Sequence, residues 1–367
     1  MGQESQHGHG TASGEQVPAG RRVNAPADTG TATPTLNSIA RALGVSRQTV
    51  SNVLNSPERV AEPTRSAVRG EIERVGYRPS AAARQLRTRR SRLLGFRMQD
   101  TTDGINGSIL DRLLHALTAR AHECGYALLV FAADGEAAEI AAYEDLRATN
   151  ALDGFLLTST NHGDRRADWL LEHDIPFVCF GRPWGRIDAA TTRDHDWIDI
   201  DGRAGTDAAT RLLAEDGARR IGFMGWPEGS GAGDDRFDGY VTAMEDLGHV
   251  PDLVDRVEDS FENGQGAAER LVAAGADALV CVSDSLALGA IARMRALGRH
   301  DVMDRVVGFD DTPIARAVGI SSVDQPVEQA ARRMVDLLIH RIEHPGASPA
   351  SDPTDLLTPV VHRRRAT

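Results

Sequence analysis

A short run near the front of the chain, SRQTVSNVLN at residues 46–55, carries side chains suited to contacting nucleic-acid bases. Helical spacing places Val50 and Val53 together on one apolar face. The opposite face presents Arg47, Gln48, Ser51 and Asn52. Arginine forms paired hydrogen bonds with guanine in the major groove, and glutamine or asparagine does so with adenine. From these residues alone, a solvated face of an amphipathic helix remains an alternative.

The residues around this run predict the elements that would position it. TLNSIARALGVSRQTVSNVLN predicts a helix-turn-helix, with Thr35 as the N-cap of the first helix and Ser46 as the N-cap of the second. Gly44 allows the sharp turn between them, and Val45 fills the core at that turn. Val68, Ile72 and Val75 recur at helical spacing and predict a third helix.

Charge is distributed unevenly along the chain. Residues 35–92 hold twelve arginines and four glutamates, a net charge of +8, whereas the whole chain carries −12. Residues 1–34 carry −1, which leaves −19 for residues 93–367. A basic segment joined to an acidic body is typical of a nucleic-acid-binding unit attached to a second function. Residues 1–33 lack apolar periodicity and are predicted to form a disordered leader.

Composition excludes several classes of chemistry. All 41 basic residues are arginine, so lysine Schiff-base chemistry and a Walker-A lysine are absent. The three cysteines lie far apart and are predicted to be reduced core thiols. No nucleophile and base pattern emerges, so we predict no enzyme activity and no cofactor. Without an apolar span or an apolar signal region, the protein is expected in the cytoplasm and away from membranes.

One acidic run resembles a metal site only superficially. RDHDWIDIDG, at residues 193–202, gathers acids and a histidine, but a calcium loop of the EF-hand type would need oxygen ligands where Trp197 and Ala208 lie. We therefore predict no metal site and interpret the run as a solvated connector into a second lobe.

From Leu93 onward, short apolar runs alternate with longer amphipathic runs that often end at glycine. This alternation predicts an α/β fold of doubly wound parallel sheets covered by helices on both faces. The length of this region predicts two lobes. The predicted strands are LLGFRM, ALLVFAA, GFLLTS, PFVCFG, RIGFMG, DALVCV and DRVVGFD.

Three motifs carry a resemblance to a known family. IARALGVSRQTVSNVLN, RVAEPTR and VGYRPSAAARQLRT resemble the LacI family of bacterial transcriptional regulators, and the likeness extends over residues 35–367. It implies a helix-turn-helix headpiece at 34–78, a hinge helix or linker at 79–92, and a two-lobed core like periplasmic binding proteins at 93–367. The implied lobes are, for lobe 1, about 93–196 and 327–352 and, for lobe 2, about 197–326 and 353–367.

The resemblance also implies how DNA is contacted. In the family a short hinge helix, N-capped here by Ser80, forms when two copies meet on operator DNA. Leu86 would insert between base pairs in the minor groove, with Ala83 and Arg84 against the groove walls; a solvated basic linker is the alternative. The full predicted DNA-binding set is Thr35, Ser46, Arg47, Gln48, Thr49, Ser51, Asn52, Asn55, Tyr77, Ala83, Arg84 and Leu86.

The family binds a small effector between its lobes, at loops that follow the strands. Planar polar groups and aromatic rings in these loops suit a neutral sugar, and the DGINGS and FGRPWG loops resemble those of regulators that respond to cellobiose or maltose. Gly181 stands where relatives commonly have an acid, so the usual Asp–Arg pair is expected to be reduced to Arg182 alone. The predicted effector-binding set is Asn106, Arg182, Trp184, Trp226, Arg236, Asp284 and Asp310. Alternatives are a surface ion pair for Arg236, a core role for Trp226 and an N-cap role for Asp284.

Together these features predict a dimeric or tetrameric repressor of a carbohydrate operon. A small sugar would release it from operator DNA built as an inverted repeat. Part of the dimer face is assigned to the helices PVEQAARRMVDLLIHRI and LDRLLHALTARA. The rival hypotheses are a purine or nucleoside effector on the same fold, a sugar-binding transport protein, and an enzyme of sugar or nucleotide metabolism.

Overall fold

The computed structural model describes residues 34–78, 90–98, 105, 107–149, 151–184, 195–347 and 356–364. The chain divides into two compact units, Met1–Ser80 and Ala81–Thr367. The predicted leader at 1–33 and most of the predicted hinge at 79–92 lie outside the described residues.

The first unit is a three-helix headpiece. Helix α1 spans Leu36–Leu43, α2 spans Arg47–Asn55 and α3 spans Glu62–Val75, with a 3-10 turn at Pro57–Arg59. Helix α1 begins with a reciprocal capping box in which the Ser38 amide donates to the Thr35 hydroxyl at 3.1 Å and the Thr35 amide donates to the Ser38 hydroxyl at 2.9 Å. Gly44 ends α1 with φ of +64°, a conformation that glycine adopts at little cost.

A small apolar core holds the three helices together. Ile39 from α1, Val50 and Val53 from α2, and Val68 from α3 are all buried. Val45, in the turn, packs against the same cluster. Because these contacts occupy one side of α2, its other side stays available to a partner.

The second unit has two lobes, each built on one parallel sheet. The sheet of lobe 1 has the order β11-β5-β4-β3-β1-β2, and all five of its strand pairs are parallel. Its strands are β1 Leu93–Met98, β2 Ala127–Ala132, β3 Gly154–Leu157, β4 Phe177–Phe180, β5 Asp196–Ile200 and β11 Leu356–Leu357. Its helices are α4 Gly107–Glu123, α5 Gly135–Ala148, α6 Arg165–Glu172 and α13 Val327–Glu343.

Side chains alternate between the two faces of this sheet. Leu156, Val178 and Ile198 pack with α4 and α13 on one face, whereas Phe155 and Phe177 pack with α5 and α6 on the other. This period of two is what a strand buried on both sides requires.

Lobe 2 repeats the arrangement. Its sheet has the order β12-β10-β9-β8-β6-β7, in which only β12 pairs antiparallel, with β10. Its strands are β6 Ile221–Gly225, β7 Val254–Arg256, β8 Ala278–Cys281, β9 Val306–Phe309, β10 Ser321–Asp324 and β12 Val360–His362. Its helices are α7 Gly202–Glu215, α8 Ala232–Asp246, α9 Phe261–Ala273, α10 Asp284–Ala296, α11 His300–Met303 and α12 Pro313–Val318.

The predicted α/β fold class and all seven predicted strands are confirmed. The interpretation of RDHDWIDIDG as a solvated connector is wrong, because Asp196–Ile200 forms β5 and pairs with β4 inside the sheet. Its acids are tolerated there because distant arginines bind them: Arg341 donates to Asp196 at 2.9 Å and Arg182 donates to Asp199 at 2.7 Å.

The chain crosses between lobes three times, after Ile200, after Asp324 and after Leu357. The first and third crossings lie a few residues beyond the predicted lobe boundaries at 196 and 352. The shifts follow from β5 and β11, which pair with each other in the sheet of lobe 1.

Helices α9 and α10 touch at glycines, which makes lobe 2 sensitive to one added methyl group. A Cβ on Gly289 would overlap the Phe261 carbonyl oxygen, whereas a Cβ on Gly266 would meet only the flexible end of Arg270, at 3.2 Å. We expect Gly289→Ala to lower the free energy of unfolding by about 1–3 kcal/mol through overpacking. Gly266→Ala, the matched control, should instead raise it by ~0.5–1 kcal/mol. Urea unfolding of both variants checks this, and equal stability of the two would contradict the helix contact.

Candidate functional site

Each unit contains one candidate site. In the headpiece it is the exposed face of α2, and in the second unit it is the cleft between the two lobes.

The N-terminal turn of α2 is fixed by its cap. The Ser46 hydroxyl accepts a hydrogen bond from the Thr49 amide at 3.0 Å and lies 2.9 Å from the Thr49 hydroxyl. Arg47 and Gln48 project from this turn and are exposed. Neither side chain takes part in the cap, so both can reach a partner.

Hydrogen bonds order the rest of the face. The Gln48 amide nitrogen donates to the Asn52 side-chain oxygen at 2.9 Å, which leaves an acceptor on Gln48 and a donor on Asn52. Asn55 donates to the Ser51 carbonyl oxygen at 2.7 Å. Such a row of side-chain donors and acceptors has the chemistry that recognises base edges in a major groove.

The remaining predicted DNA-binding residues are placed as follows. Thr35 is exposed at the start of α1, and Tyr77 is half-buried against the headpiece core. Ala83, Arg84 and Leu86 lie outside the described residues, and their contacts with DNA stay a prediction.

The cleft lies at the carboxyl ends of the strands of both lobes and has a volume of about 360 Å³. Lobe 1 contributes Phe180 and Trp184 to its walls, and lobe 2 contributes Trp226, Arg236 and Asp310. Four of the seven predicted effector-binding residues therefore belong to the cleft or its wall directly, namely Trp184, Trp226, Arg236 and Asp310. Asn106 lies outside the described residues.

Arg236 on α8 is the central cation of the cleft. Its guanidinium carbon lies 3.7 Å from the centroid of the Phe309 ring and 5.0 Å from that of Trp226, and one nitrogen donates to the Val282 carbonyl oxygen at 2.5 Å. Burial lowers its pKa from the ordinary arginine value. Arg236 is only 6% exposed and is not the surface ion pair weighed as an alternative.

Asp310 faces Arg236 from the loop after β9. Gln325 donates to its carboxylate at 2.5 Å, and its own backbone has φ of +104°, which is strained for a residue with a side chain. Burial raises the pKa of this carboxyl well above its ordinary value, although Arg236 acts in the opposite direction. The site therefore holds an acid that water solvates poorly.

Three buried polar atoms on residues that line the cleft lack a hydrogen-bond partner among the described residues. They are Nε of Arg236, Nε1 of Trp226 and the hydroxyl oxygen of Ser230. Two are N–H donors and the third can donate or accept. Because leaving such groups buried and unpaired costs about 1–3 kcal/mol each, they indicate a place where a ligand supplies oxygen acceptors.

Arg182 does not act alone. It donates to Asp199 in β5 at 2.7 Å and to Asp235 on α8 at 3.0 Å, so it joins lobe 1 to lobe 2. The expectation drawn from Gly181 is therefore wrong, because two distant acids replace the neighbouring one. Burial raises the pKa of both acids, opposed by Arg182.

Trp184 closes the side of the cleft near this bridge. Its indole N–H donates to the Thr160 hydroxyl at 3.1 Å, and the Arg182 guanidinium lies 4.7 Å from the ring centroid. The ring lies so near Gly231 of lobe 2 that a Cβ there would be 2.8 Å from it. A side chain at 231 would therefore prevent this approach of the lobes.

Asp284 lies beneath the cleft and does not line it. Its carboxylate accepts hydrogen bonds from the Thr312 amide at 2.7 Å and the Ser322 hydroxyl at 2.6 Å, so it fixes the loop after β9 that carries Asp310. The N-cap of α10 is Ser283. Asp284 thus holds the loop that carries Asp310. It is neither a lining residue of the cleft nor the N-cap of α10, the two roles considered from the sequence.

Sequence reasoning missed several residues that line the cleft. Asp199 was hidden in the run interpreted as a connector, and Asp235 stands directly before Arg236. Gln325 follows the short strand β10, which was not predicted. The missed lining residues with polar side chains include Thr160, Asn161, Asp199, Ser230, Asp235, Asp259 and Gln325.

Behind the loop at 158–164, a buried ion network sets its conformation. Arg166 donates to Glu139 at 2.7 Å, to Asp164 at 2.6 Å and to the Thr158 carbonyl oxygen at 3.1 Å. Tyr143 donates to the other oxygen of Glu139 at 2.5 Å. Such a satisfied network is rigid, which holds Thr160 in place for the cleft.

Among the described residues, one group has the spacing of metal ligands: Asp311, Asp324 and His362. Its carboxylates already bind arginines, since Asp311 pairs with Arg316 at 2.8 Å and Asp324 pairs with Arg112 at 3.1 Å. The charge of the group is therefore balanced within the protein.

Family models match both units. The model for bacterial regulatory proteins of the lacI family matches residues 35–80, and that for a periplasmic binding protein-like domain matches residues 210–366. A curated relative, the HTH-type transcriptional regulator CelR of Thermobifida fusca, is 32% identical over 84% of this chain and 92% of its own length. The chain belongs to the lacI family of bacterial regulatory proteins. It is a DNA-binding transcriptional regulator.

Other similar proteins and structures support the same family assignment. The HTH-type transcriptional repressor PurR of Salmonella paratyphi B is 28% identical over 84% of this chain and 90% of its own length. The structure of a CelR–cellobiose complex aligns with a TM-score of 0.67 and 29% identity, covering 91% of this chain and 100% of that one. The lac repressor dimer bound to operator and an anti-inducer aligns with a TM-score of 0.75 over 91% of this chain and 98% of that one; at 20% identity it supports the fold alone.

A search of the described part of the chain finds no helix that combines the length and the apolar character needed to cross a membrane.

The exposed face of α2 predicts a loss of base discrimination in Arg47→Ala. Removing a paired contact with a base should cost about 1–3 kcal/mol of discrimination at one operator position. Arg74→Ala is the matched control, since this exposed arginine pairs with Glu71 on α3 at 2.6 Å and lies off the α2 face. Binding to a panel of single-base operator variants measures both. Unchanged preference at every position in Arg47→Ala would remove Arg47 from the base-contacting set.

Asp284 predicts a pH effect on stability. Burial raises its pKa to about 6, against 3.8 for an ordinary aspartate. The contribution of protonated Asp284 to the free energy of unfolding is therefore fully present below pH 3.8 and is lost as the pH rises through about 6. Asn cannot ionise, so between pH 4 and 7 the stability of Asp284→Asn relative to the natural protein should rise by about 2 kcal/mol. Urea unfolding of both proteins at several pH values checks this; a difference independent of pH would contradict it.

Proposed function

We propose that this regulator is a repressor whose hold on operator DNA is released by a neutral disaccharide bound in the cleft. The observation that carries the ligand assignment is the set of buried, unpaired polar atoms on Arg236, Trp226 and Ser230. Sugar hydroxyl and ring oxygens would accept from these groups, and sugar hydroxyls would donate to Asp310.

The charge of the cleft supports a neutral ligand. Asp199, Asp235, Asp259 and Asp310 line it, whereas the nearby cations are Arg182 and Arg236. Arg182 is already bound to two of these acids, so a phosphate or carboxylate on the ligand would meet excess negative charge. A phosphorylated sugar is therefore disfavoured.

The aromatic residues support a ligand with more than one sugar ring. Trp184 and Trp226 come from opposite lobes, and each offers a flat apolar face to the CH groups of a sugar. The cleft volume of about 360 Å³ lies within the range of small-molecule sites. The relative whose structure was solved with cellobiose supports a glucose disaccharide as the first candidate.

On the DNA side, we propose binding as a dimer to an inverted repeat in the cytoplasm, with the α2 face in the major groove. The lac repressor, which shares the fold, was solved as a dimer on its operator. Leu86 is proposed to wedge between base pairs in the minor groove, as the family resemblance implies. No catalytic step is part of this proposal.

A purine or nucleoside effector is the second candidate, since the repressor PurR is also a relative. Stacking on Trp184 or Trp226 would suit a purine as well as a sugar. The sugar is favoured because the cleft has several hydroxyl-binding acids, and because the CelR complex contains cellobiose.

Calorimetry separates these ligand classes. Cellobiose and maltose should bind, whereas cellobiose 6-phosphate and the purine bases should bind at least tenfold more weakly. Saturating disaccharide should also lower affinity for an operator selected from random duplexes. Tight binding of a purine, with none of either disaccharide, would overturn the sugar assignment.

Trp226→Ala tests the cleft itself. Loss of the stacking face should weaken disaccharide binding by about 10-fold or more, since removing such a buried aromatic contact costs ~1–3 kcal/mol. Operator affinity without ligand should stay near that of the natural protein. Trp169→Ala is a control for loss of an indole, because Trp169 packs in lobe 1 beside His173 and away from the cleft. A normal ligand response in Trp226→Ala would show that the ligand binds outside this cleft.

A further inference from the structure

The segment through which the chain enters lobe 1 is clamped by one aspartate. Asp153, directly before β3, accepts hydrogen bonds from the Ser91 amide at 2.6 Å, the Ser91 hydroxyl at 2.8 Å and the Arg92 amide at 3.0 Å. The Ser91 hydroxyl in turn accepts from the Leu93 amide at 3.1 Å. The two residues before β1 and its first residue, Leu93, are thereby fixed.

Two further contacts tie the same segment to other elements. Arg92 has φ of +60° and places its guanidinium carbon 4.9 Å from the centroid of the Tyr126 ring, at the start of β2. Arg90 donates to the Ile342 carbonyl oxygen at 3.1 Å and lies 3.6 Å from the Glu343 carboxylate, at the end of α13. Clamping by several elements is what allows a strained backbone at Arg92 to persist.

Helix α13 connects this clamp with the cleft. It begins just after Gln325, which binds Asp310 in the cleft wall, and ends at Glu343 beside Arg90. At 17 residues it is about 25 Å long. One face of the helix is buried along its whole length, from Val327 to Ile342. Helix α13 is therefore one continuous element that reaches from the cleft wall to the clamp.

Lobe 2 contains a similar clamp, in which an aspartate before one strand accepts hydrogen bonds from the backbone before a neighbouring strand. Asp277, directly before β8, accepts from the Arg219 amide at 3.0 Å and the Arg220 amide at 3.0 Å, just before β6. β6 and β8 hold the same places in their sheet as β1 and β3 do in theirs. The segment at 219–220 follows α7 within the lobe, whereas the segment at 90–92 continues toward the DNA-binding headpiece.

We propose that Asp153 is a positioning residue for ligand-controlled DNA binding: it fixes the segment 90–93 to lobe 1, so that movement of the lobe moves the chain leading to the headpiece. This role rests on the proposed function above and adds the residue through which lobe 1 holds the segment that leads to the headpiece. Asp277 has the same local chemistry but only a structural role, because its segment leads to no second unit.

The first experiment compares the full-length natural protein with Asp153→Asn and Asp277→Asn. Calorimetry gives the affinity for cellobiose, and fluorescence anisotropy gives the affinity for a duplex selected by the natural protein, with and without saturating cellobiose. For coupled sites the ligand changes DNA affinity by about 5–150-fold. We expect this ratio to fall to within about threefold of unity in Asp153→Asn, with cellobiose affinity unchanged, and to persist in Asp277→Asn.

The second experiment does not depend on the ligand. Since coupling is reciprocal, binding of the selected duplex should slow hydrogen exchange in the last turns of α13 of the natural protein and of Asp277→Asn. In Asp153→Asn that protection should be lost while protection of α2 remains. If Asp153 only stabilised lobe 1, α13 of Asp153→Asn would exchange faster without DNA as well, and the duplex would still slow that exchange.

The outcomes separate the two proposals. A natural protein whose DNA affinity responds to neither cellobiose nor maltose would contradict the proposed effector, and hydrogen exchange would then decide the role of Asp153. A ligand response in Asp153→Asn equal to that of the natural protein, or unchanged protection of α13 in that variant, would overturn the role proposed for Asp153.

Discussion

The alignment of parallel strands is the constraint on which the rest of the molecule depends. In each lobe the parallel strands end at the same edge of the sheet, so loops that are far apart in sequence meet there. The two edges face each other across the cleft. Trp184, Trp226 and Asp310 come together for this reason, although they belong to three different loops. A cleft with two walls on two bodies can also change shape, which a pocket inside one lobe could not do.

Two buried arginines with different partners determine what the cleft can bind. Arg182 is satisfied by acids from both lobes, whereas Arg236 is held mainly by aromatic rings and one carbonyl oxygen. The first arrangement stabilises the approach of the lobes, and the second leaves hydrogen-bonding capacity for a ligand. Arginine therefore joins the two lobes at position 182 and can bind a ligand at position 236. The difference comes from the number of carboxylates within hydrogen-bond distance of each guanidinium.

The sequence allowed much of the fold to be predicted, because apolar runs and helical spacing are local signals. The headpiece helices and seven strands were predicted for this reason. β5 was missed because its acids are neutralised by Arg182 and Arg341, and Arg341 lies 145 residues away from Asp196. In the site, Arg236 and Trp226 were expected because the family resemblance pointed to the segment after a predicted strand. The bridge from Arg182 to Asp235 spans 53 residues and two lobes, so no local pattern could indicate it.

The three crossings between lobes are short and lie side by side, with the Asp201 amide donating to the Leu357 carbonyl oxygen at 2.8 Å. Pro326 and Pro359 stand in two of them, and proline restricts backbone rotation. The crossing after Asp324 lies beside the one after Leu357, because Asp324 pairs with Val360. Three short, adjacent connections resist rotation of one lobe against the other more than they resist bending, so the fold favours a hinge motion that opens and closes the cleft.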